Sequence, residues 1–176
     1  MKKKITTEQL VIMAFLIALE IVLTRLLSIN LPTTRIGFGF LPIAFCAILF
    51  GPYWAALCYA IGDIIGASIF MPPPFPGFTV SAAITGLIYG FIFYNKPVTT
   101  KRSFVASLLI LIPISLCLNT FWLQIIVGKG FLVLLPTRLL QVAILIPIQT
   151  LTIPLLWNKL FSKVPYLTKN SISKSI

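Results

Sequence analysis

The sequence predicts an all-α integral membrane protein with six membrane-spanning helices and both termini on the cytosolic side. Three observations carry that expectation. Hydrophobic residues make up 59% of the 176-residue chain and charged residues only 10%, whereas a soluble domain is about 25% charged. The apolar residues gather into six runs divided by glycine, proline and polar residues. The charge is lopsided, with 14 Lys or Arg against 3 acids and a formal net charge of +11, and its distribution along the chain follows the positive-inside rule.

A helix needs about 20 mainly apolar residues to cross roughly 30 Å of hydrocarbon. The first run covers residues 8–27, after the basic start Lys2-Lys3-Lys4. It is too long for the apolar part of a signal peptide, and no small-residue cleavage site follows it. A polar, proline-bearing segment, Ser28 to Gly37, leads to a second apolar run that Gly51-Pro52 breaks in two, because proline cannot continue the backbone ladder and glycine tolerates a turn. The spans expected there are 38–50, short enough to draw on Ile36 and Gly37, and 53–70. Met71-Pro72-Pro73-Pro74-Phe75-Pro76-Gly77 then forces an extended loop. The fourth span covers 78–94, followed by a basic link from Asn95 to Ser103. The fifth covers 104–127 and ends at Gly128-Lys129-Gly130. The sixth covers 131–157, with Pro136, Pro147 and Pro154 expected to kink or trim it, and a basic tail occupies 158–176.

The charges test this count. With the N-terminus in the cytosol, six spans place Lys2, Lys3, Lys4, Lys96, Lys101, Arg102, Lys159, Lys163, Lys169 and Lys174 inside. Arg25, Arg35 and Lys129 then lie outside, and Arg138 falls within the sixth span. Five spans would carry the tail lysines outward and weaken the bias. The whole chain therefore reads as one transmembrane domain, and its positive charge as orientation rather than a nucleic-acid footprint.

The absences are informative. Without histidine there is no imidazole ligand or base. The acids are Glu8, Glu20 and Asp63, a poor supply for paired-carboxylate hydrolysis. Cys46, Cys58 and Cys117 are scattered through apolar runs without CxxC spacing and read as small hydrophobes. No phosphate-binding GxxxxGK[ST] loop occurs. The sequence thus gives no reason to expect a metal, a cofactor or an enzyme.

Glu20, Arg25, Asp63 and Arg138 stand at or near membrane depth, where a charge is costly unless it is paired or faces a polar cavity. Two readings stay open for each: a structural ion pair, such as Asp63 with Arg138 or Glu20 with Arg25, or a place in a binding site. Arg25 and Arg35 flank an outward loop, and guanidinium groups bind carboxylates bidentately. Ser115, Asn119 and Trp122 share a face of the fifth span, and Arg138, Gln141, Gln149 and Thr152 share one on the sixth. Small residues Thr79, Ala82, Gly86 and Gly90 line one face of the fourth. For Gly86-xxx-Gly90 and Gly62-xxx-Gly66, close helix–helix packing is the expectation. Phe38, Phe40, Phe70, Phe75 and Phe78 bracket the two outer loops. Together with the arginines they suit a flat, anionic organic molecule better than they suit simple interfacial anchoring.

These residues also carry a resemblance. Arg35-Ile-Gly-Phe-Gly-Phe-Leu-Pro-Ile43, Phe50-Gly-Pro-Tyr-Trp54, Gly62-Asp63, Phe75-Pro-Gly-Phe-Thr-Val-Ser-Ala82 and Gly86-Leu-Ile-Tyr-Gly90 resemble the folate-specific S component of energy-coupling factor transporters. The likeness covers most of the chain and is densest through residues 35–90. It implies a six-helix vitamin-binding subunit of a bacterial cytoplasmic membrane, which works with a transmembrane coupling subunit and two cytosolic ATPases. That division of labour suits a chain without a phosphate-binding loop. The family's alanine motif for the coupling subunit corresponds here to Ala14-Phe-Leu-Ile-Ala18.

For folate, with its pterin ring, aromatic spacer and glutamate, the resemblance implies roles. Arg35 and Arg25 would bind carboxylate, and Trp122 with Phe38, Phe75 or Phe78 would stack on the rings. Asp63 or Asn119 would accept from the pterin's amino edge, assisted by Thr79 and Ser81. Arg138 would hold Asp63 or reach the ligand. One geometric conflict stands: Arg25 follows Ala18 by seven residues, within about 20° of the same helical face. Either the helix unwinds before Arg25, or Arg25 does not touch the ligand. The rival readings are an S component for another vitamin or pterin-like precursor, and a self-sufficient secondary transporter or membrane enzyme. A purely structural membrane subunit is a third.

Overall fold

Thr6 opens the first helix with a reciprocal cap. Its hydroxyl accepts from the Gln9 N–H at 3.4 Å while the Gln9 side chain accepts from the Thr6 N–H at 3.3 Å, satisfying amides that a helix start leaves free. The computed structural model describes residues 6–30, 35–70, 75–128 and 130–161. The expectations for Lys2, Lys3, Lys4, Lys129, Lys163, Lys169, Lys174 and the proline run at 72–74 lie outside these residues, as does the Arg35 side chain.

Helix α1 runs Thr7–Leu26, and its last turn, Val22–Leu26, is wound as a π-helix. Two short antiparallel strands follow, β1 (Ile29–Asn30) and β2 (Arg35–Ile36), with Ile29 opposite Ile36 and Asn30 opposite Arg35. Ile36 is therefore committed to a ladder, and α2 (Phe40–Phe50) starts later than the apolar pattern suggested. Gly51 takes φ +92°, a left-handed value that suits glycine, and Pro52 opens α3 (Pro52–Ile69) at the position where its missing N–H costs nothing. Pro76 does the same for α4 (Pro76–Phe93).

Helix α5, Thr100–Val127, begins earlier than residue 104. Thr99 caps it by accepting from the Arg102 N–H at 3.4 Å, so part of the basic link is helical. Its middle, Leu111–Leu118, is π-wound around Pro113, which has no N–H to give. Gly128, at φ +70°, closes it with a left-handed cap. Helix α6, Phe131–Leu156, holds Pro136, Pro147 and Pro154 without breaking. Threonine hydroxyls take up nearby carbonyls, Thr137 on Leu134, Thr150 on Ile146 and Thr152 on Ile148. Thr152 is thereby bound to its own helix.

Among the described residues, four of the six helices, α1, α4, α5 and α6, are long and apolar enough to cross a bilayer. At about 16 Å, α2 is not. It is instead the buried centre of the bundle, with every residue from Phe40 to Ile48 shielded. Around it gather Met13 and Leu16 of α1, Cys58 of α3, Tyr89 and Phe93 of α4, and Ile153 of α6. The outer surface is apolar, from Val11 and Phe15 through Tyr53 to Leu132 at 78% exposed, as suits a solvent made of lipid. Where lipid is the solvent, helices adhere by close packing. The α3–α4 pair shows it: a methyl on Gly86 would lie 2.6 Å from the Ala55 carbonyl oxygen, and one on Gly90 would strike the Pro52 backbone.

Candidate functional site

Not all small-residue faces serve packing. On α3 a methyl at Gly62 would lie 2.6 Å from Glu20 Oε2, and one at Gly66 3.1 Å from Arg25 Nε. This glycine pair gives room to polar side chains of α1 rather than to its backbone. Those side chains reach a cavity of about 400 Å³ enclosed by all six helices. That size lies in the range of roughly 300–1,000 Å³ found for sites of drug-sized organic ligands.

The α1–α3 wall is charged. Arg25 Nη2 stands 3.7 Å from Asp63 Oδ1, with both side chains largely shielded. Asp63 Oδ2 accepts from the Thr79 hydroxyl at 2.9 Å. Thr24 donates to Glu20 Oε1 at 2.8 Å. Glu20 is 3% exposed, and its Oε2 has no hydrogen-bond partner among the described residues. The structure thus answers the pairing question differently from either combination read from sequence: Asp63 pairs with Arg25, and Glu20 with Thr24.

The α4–α5 wall is aromatic. Phe75 packs edge-on to Phe78, with ring centres 6.0 Å apart, and tilts against Trp122 at 5.8 Å. The indole N–H donates to Ser81 Oγ at 3.2 Å, and the Ser81 hydroxyl donates to the Gly77 carbonyl at 3.1 Å. A methyl on Gly77 would strike the indole, so Phe-Pro-Gly-Phe is the sequence that lets Trp122 lie against the first turn of α4. Across the cavity, α6 supplies amides and a second guanidinium. Arg138 donates to Gln141 Oε1 at 3.1 Å, and the Tyr89 hydroxyl donates to Gln149 Oε1 at 3.1 Å. Arg138 is therefore held by Gln141, not set against Asp63. Its Nε, like Asn119 Oδ1, has no partner among the described residues.

Of the residues singled out from sequence, Arg25, Asp63, Phe75, Phe78, Ser81, Asn119 and Arg138 line the cavity. Thr79 stands behind Asp63, and Trp122 behind Phe75. Phe38 is 43% exposed and packs on Phe40, which does line the cavity. Arg35 is placed only by its backbone, opposite Asn30. Ala14 and Ala18 are exposed on α1, beside Leu10, Val11 and Phe15. The conflict between Ala18 and Arg25 is resolved by the π turn. With an extra residue per turn, it rotates Arg25 off the alanine face and toward Asp63. Glu20, left open from sequence between an ion pair and a place in a binding site, lines the cavity too, whereas Thr24, Tyr59, Thr85 and Tyr89 line it without having been singled out.

A cavity with two guanidiniums, an aromatic wall and unpartnered polar atoms suits a flat ligand with anionic and hydrogen-bonding ends. The family model described as "ECF-type riboflavin transporter, S component" matches residues 4–158. A folate transporter FolT of Clostridium novyi (strain NT) is 47% identical over 150 residues, covering 85% of this chain and 87% of that protein. A folate transporter FolT of Leuconostoc mesenteroides subsp. mesenteroides is 35% identical over 153 residues, covering 83% and 82%. The crystal structure of a FolT bound with folic acid superposes with a TM-score of 0.80 at 31% identity, covering 88% of this chain and 95% of that one.

Proposed function

This chain belongs to the S-component family of ECF-type transporters, a family of transport subunits rather than enzymes, and we propose that its ligand is folate. It would bind folate in an outward-facing cavity and deliver it through a transmembrane coupling subunit and two cytosolic ATPases. The observation that carries the reading is the cavity of about 400 Å³ with Arg25 on one wall and the Phe75–Phe78 pair on another. Relatives called folate transporters, at 47% and 35% identity over most of their length, support it.

In this reading the rings of folate lie along Phe75 and Phe78, with Trp122 behind them and Phe38 near the mouth. The glutamate carboxylates meet Arg25 and Arg35, with Arg138 as a further donor. Asn119 offers an acceptor to the pterin, with Ser81 beside it, and Asp63, held by Thr79, positions Arg25. The exposed Ala14–Ala18 face of α1 meets the coupling subunit, since small residues let a partner helix approach closely. The six helices make six passes in the cytoplasmic membrane of a bacterium, with both ends inside. The shielding of α2 lets a short helix serve as one of them, because its neighbours, not lipid, cover it.

Because the family model carries a riboflavin description, a flavin is the second reading. Purified protein titrated with radiolabelled folate should show saturable binding without any partner. Uptake into proteoliposomes should require the coupling subunit, the ATPases and ATP. Uptake by the subunit alone, driven by an ion gradient, would make it a self-sufficient carrier and overturn the proposed assembly.

A further inference from the structure

Resting on the folate reading, we infer that Glu20 is the specificity-determining group that reads the 2-amino edge of the pterin and separates it from a flavin. Glu20 lies at the inner end of the polar α1 wall, is 3% exposed, and lines the cavity. Oε1 is fixed by the Thr24 hydroxyl at 2.8 Å, while Oε2 has no partner among the described residues. A buried acceptor left unpaired is destabilising, and the loss is recovered when a donor arrives. Gly62 gives Oε2 its room against α3, since a methyl there would lie 2.6 Å from it.

The neighbouring acceptors are less suited. Asp63 already engages Arg25 through Oδ1 and Thr79 through Oδ2. Asn119 Oδ1 is unpartnered, yet it is one neutral oxygen, whereas a carboxylate accepts two parallel donors at once. The pyrimidine edge of folate presents such a pair, the 2-amino N–H beside the ring N3–H. The corresponding edge of a flavin is a single N–H flanked by two carbonyl oxygens, which a carboxylate repels. The same side chain therefore favours one ring system and rejects the other, leaving Arg25 and Arg138 for the oxygens of the ligand.

The test compares folate with an analogue carrying methyl in place of the 2-amino group, both titrated into the purified full-length protein. Glu20→Gln retains the size but turns an amide N–H toward the pterin donors. It should weaken folate at least tenfold and the analogue less than threefold. Thr24→Val, which frees Oε1, should weaken folate about threefold or more and leave the analogue unchanged. Equal losses for both ligands in these variants, or no loss for folate, overturn the inference while leaving folate as the ligand. Absence of folate binding by the unaltered protein overturns the functional reading, and this inference with it.

Discussion

Gly86 and Gly90 on α4 share their spacing with Gly62 and Gly66 on α3, yet the space left by the missing side chains is filled in two ways. The α4 pair admits the backbone of α3, at Ala55, Ala56 and Pro52. The α3 pair admits Glu20 and Arg25, and with them the charged wall of the cavity. One pair lets two helices touch; the other keeps a chamber between them. A small-xxx-small pattern therefore marks close approach but not what approaches. In the first case the neighbour is rigid main chain, and in the second it is the far end of a flexible side chain.

The comparison can be broken first at α4. Gly90→Leu should leave no folded protein, because the Pro52 backbone cannot yield, and overpacking by far smaller increments already costs about 1–3 kcal/mol. Size-exclusion profiles and thermal unfolding in detergent would check it. A folded, stable Gly90→Leu protein would mean that the two glycine pairs do not differ in this way.

On the charged wall, Arg25→Ala should preserve the fold but weaken folate by about 1.5–3 kcal/mol, the usual worth of a hydrogen bond to a charged group. Binding titration beside a melting curve would separate the two effects. Gly77→Ala displaces the Trp122 indole from α4, and should cost about 1–2 kcal/mol of folate affinity with a shifted tryptophan emission maximum. Trp122→Phe keeps an aromatic ring beside Phe75 and loses the bond to Ser81, about 0.5–1.5 kcal/mol, read by the same titration. Gly66→Ala is the mildest. The Arg25 side chain, 3.1 Å away, can swing aside, so stability should change by less than about 0.5 kcal/mol, and affinity should fall slightly. A Gly66→Ala protein as unstable as an α4 variant would erase the contrast.

The six helices were legible because glycine and proline announce their ends. Gly51-Pro52 and Gly128 each stand where the chain turns, whereas Pro76 and Gly77, expected in the loop, form the first turn of α4. Arg25, Asp63 and Asn119 stood out through the cost of charge and helical spacing, and Phe75 through the aromatics around the outer loops, but their meeting around one cavity was not legible. The π segments Val22–Leu26 and Leu111–Leu118, which line the cavity, were not legible either. Pro113 hints at the second, but Val22-Leu-Thr-Arg-Leu26 has no proline or glycine, and the turn it makes decides where Arg25 points. Pairing was also hidden. The choice of Arg25 over Arg138 by Asp63 depends on how α1 and α3 cross, which no single helix records. Glu20 was conspicuous as a charge in an apolar run, but only the Gly62 notch beside it shows that its outer oxygen is left room.

The proposed folate cavity sits on a scaffold whose family model is described by riboflavin. Competition on the purified protein tests it most directly: labelled folate bound to saturation, then challenged with unlabelled folate, riboflavin and thiamine. Displacement by folate alone, with a hundredfold excess of riboflavin leaving the label in place, is the predicted result. Displacement by riboflavin at concentrations similar to folate, or a label that never binds saturably, would contradict it.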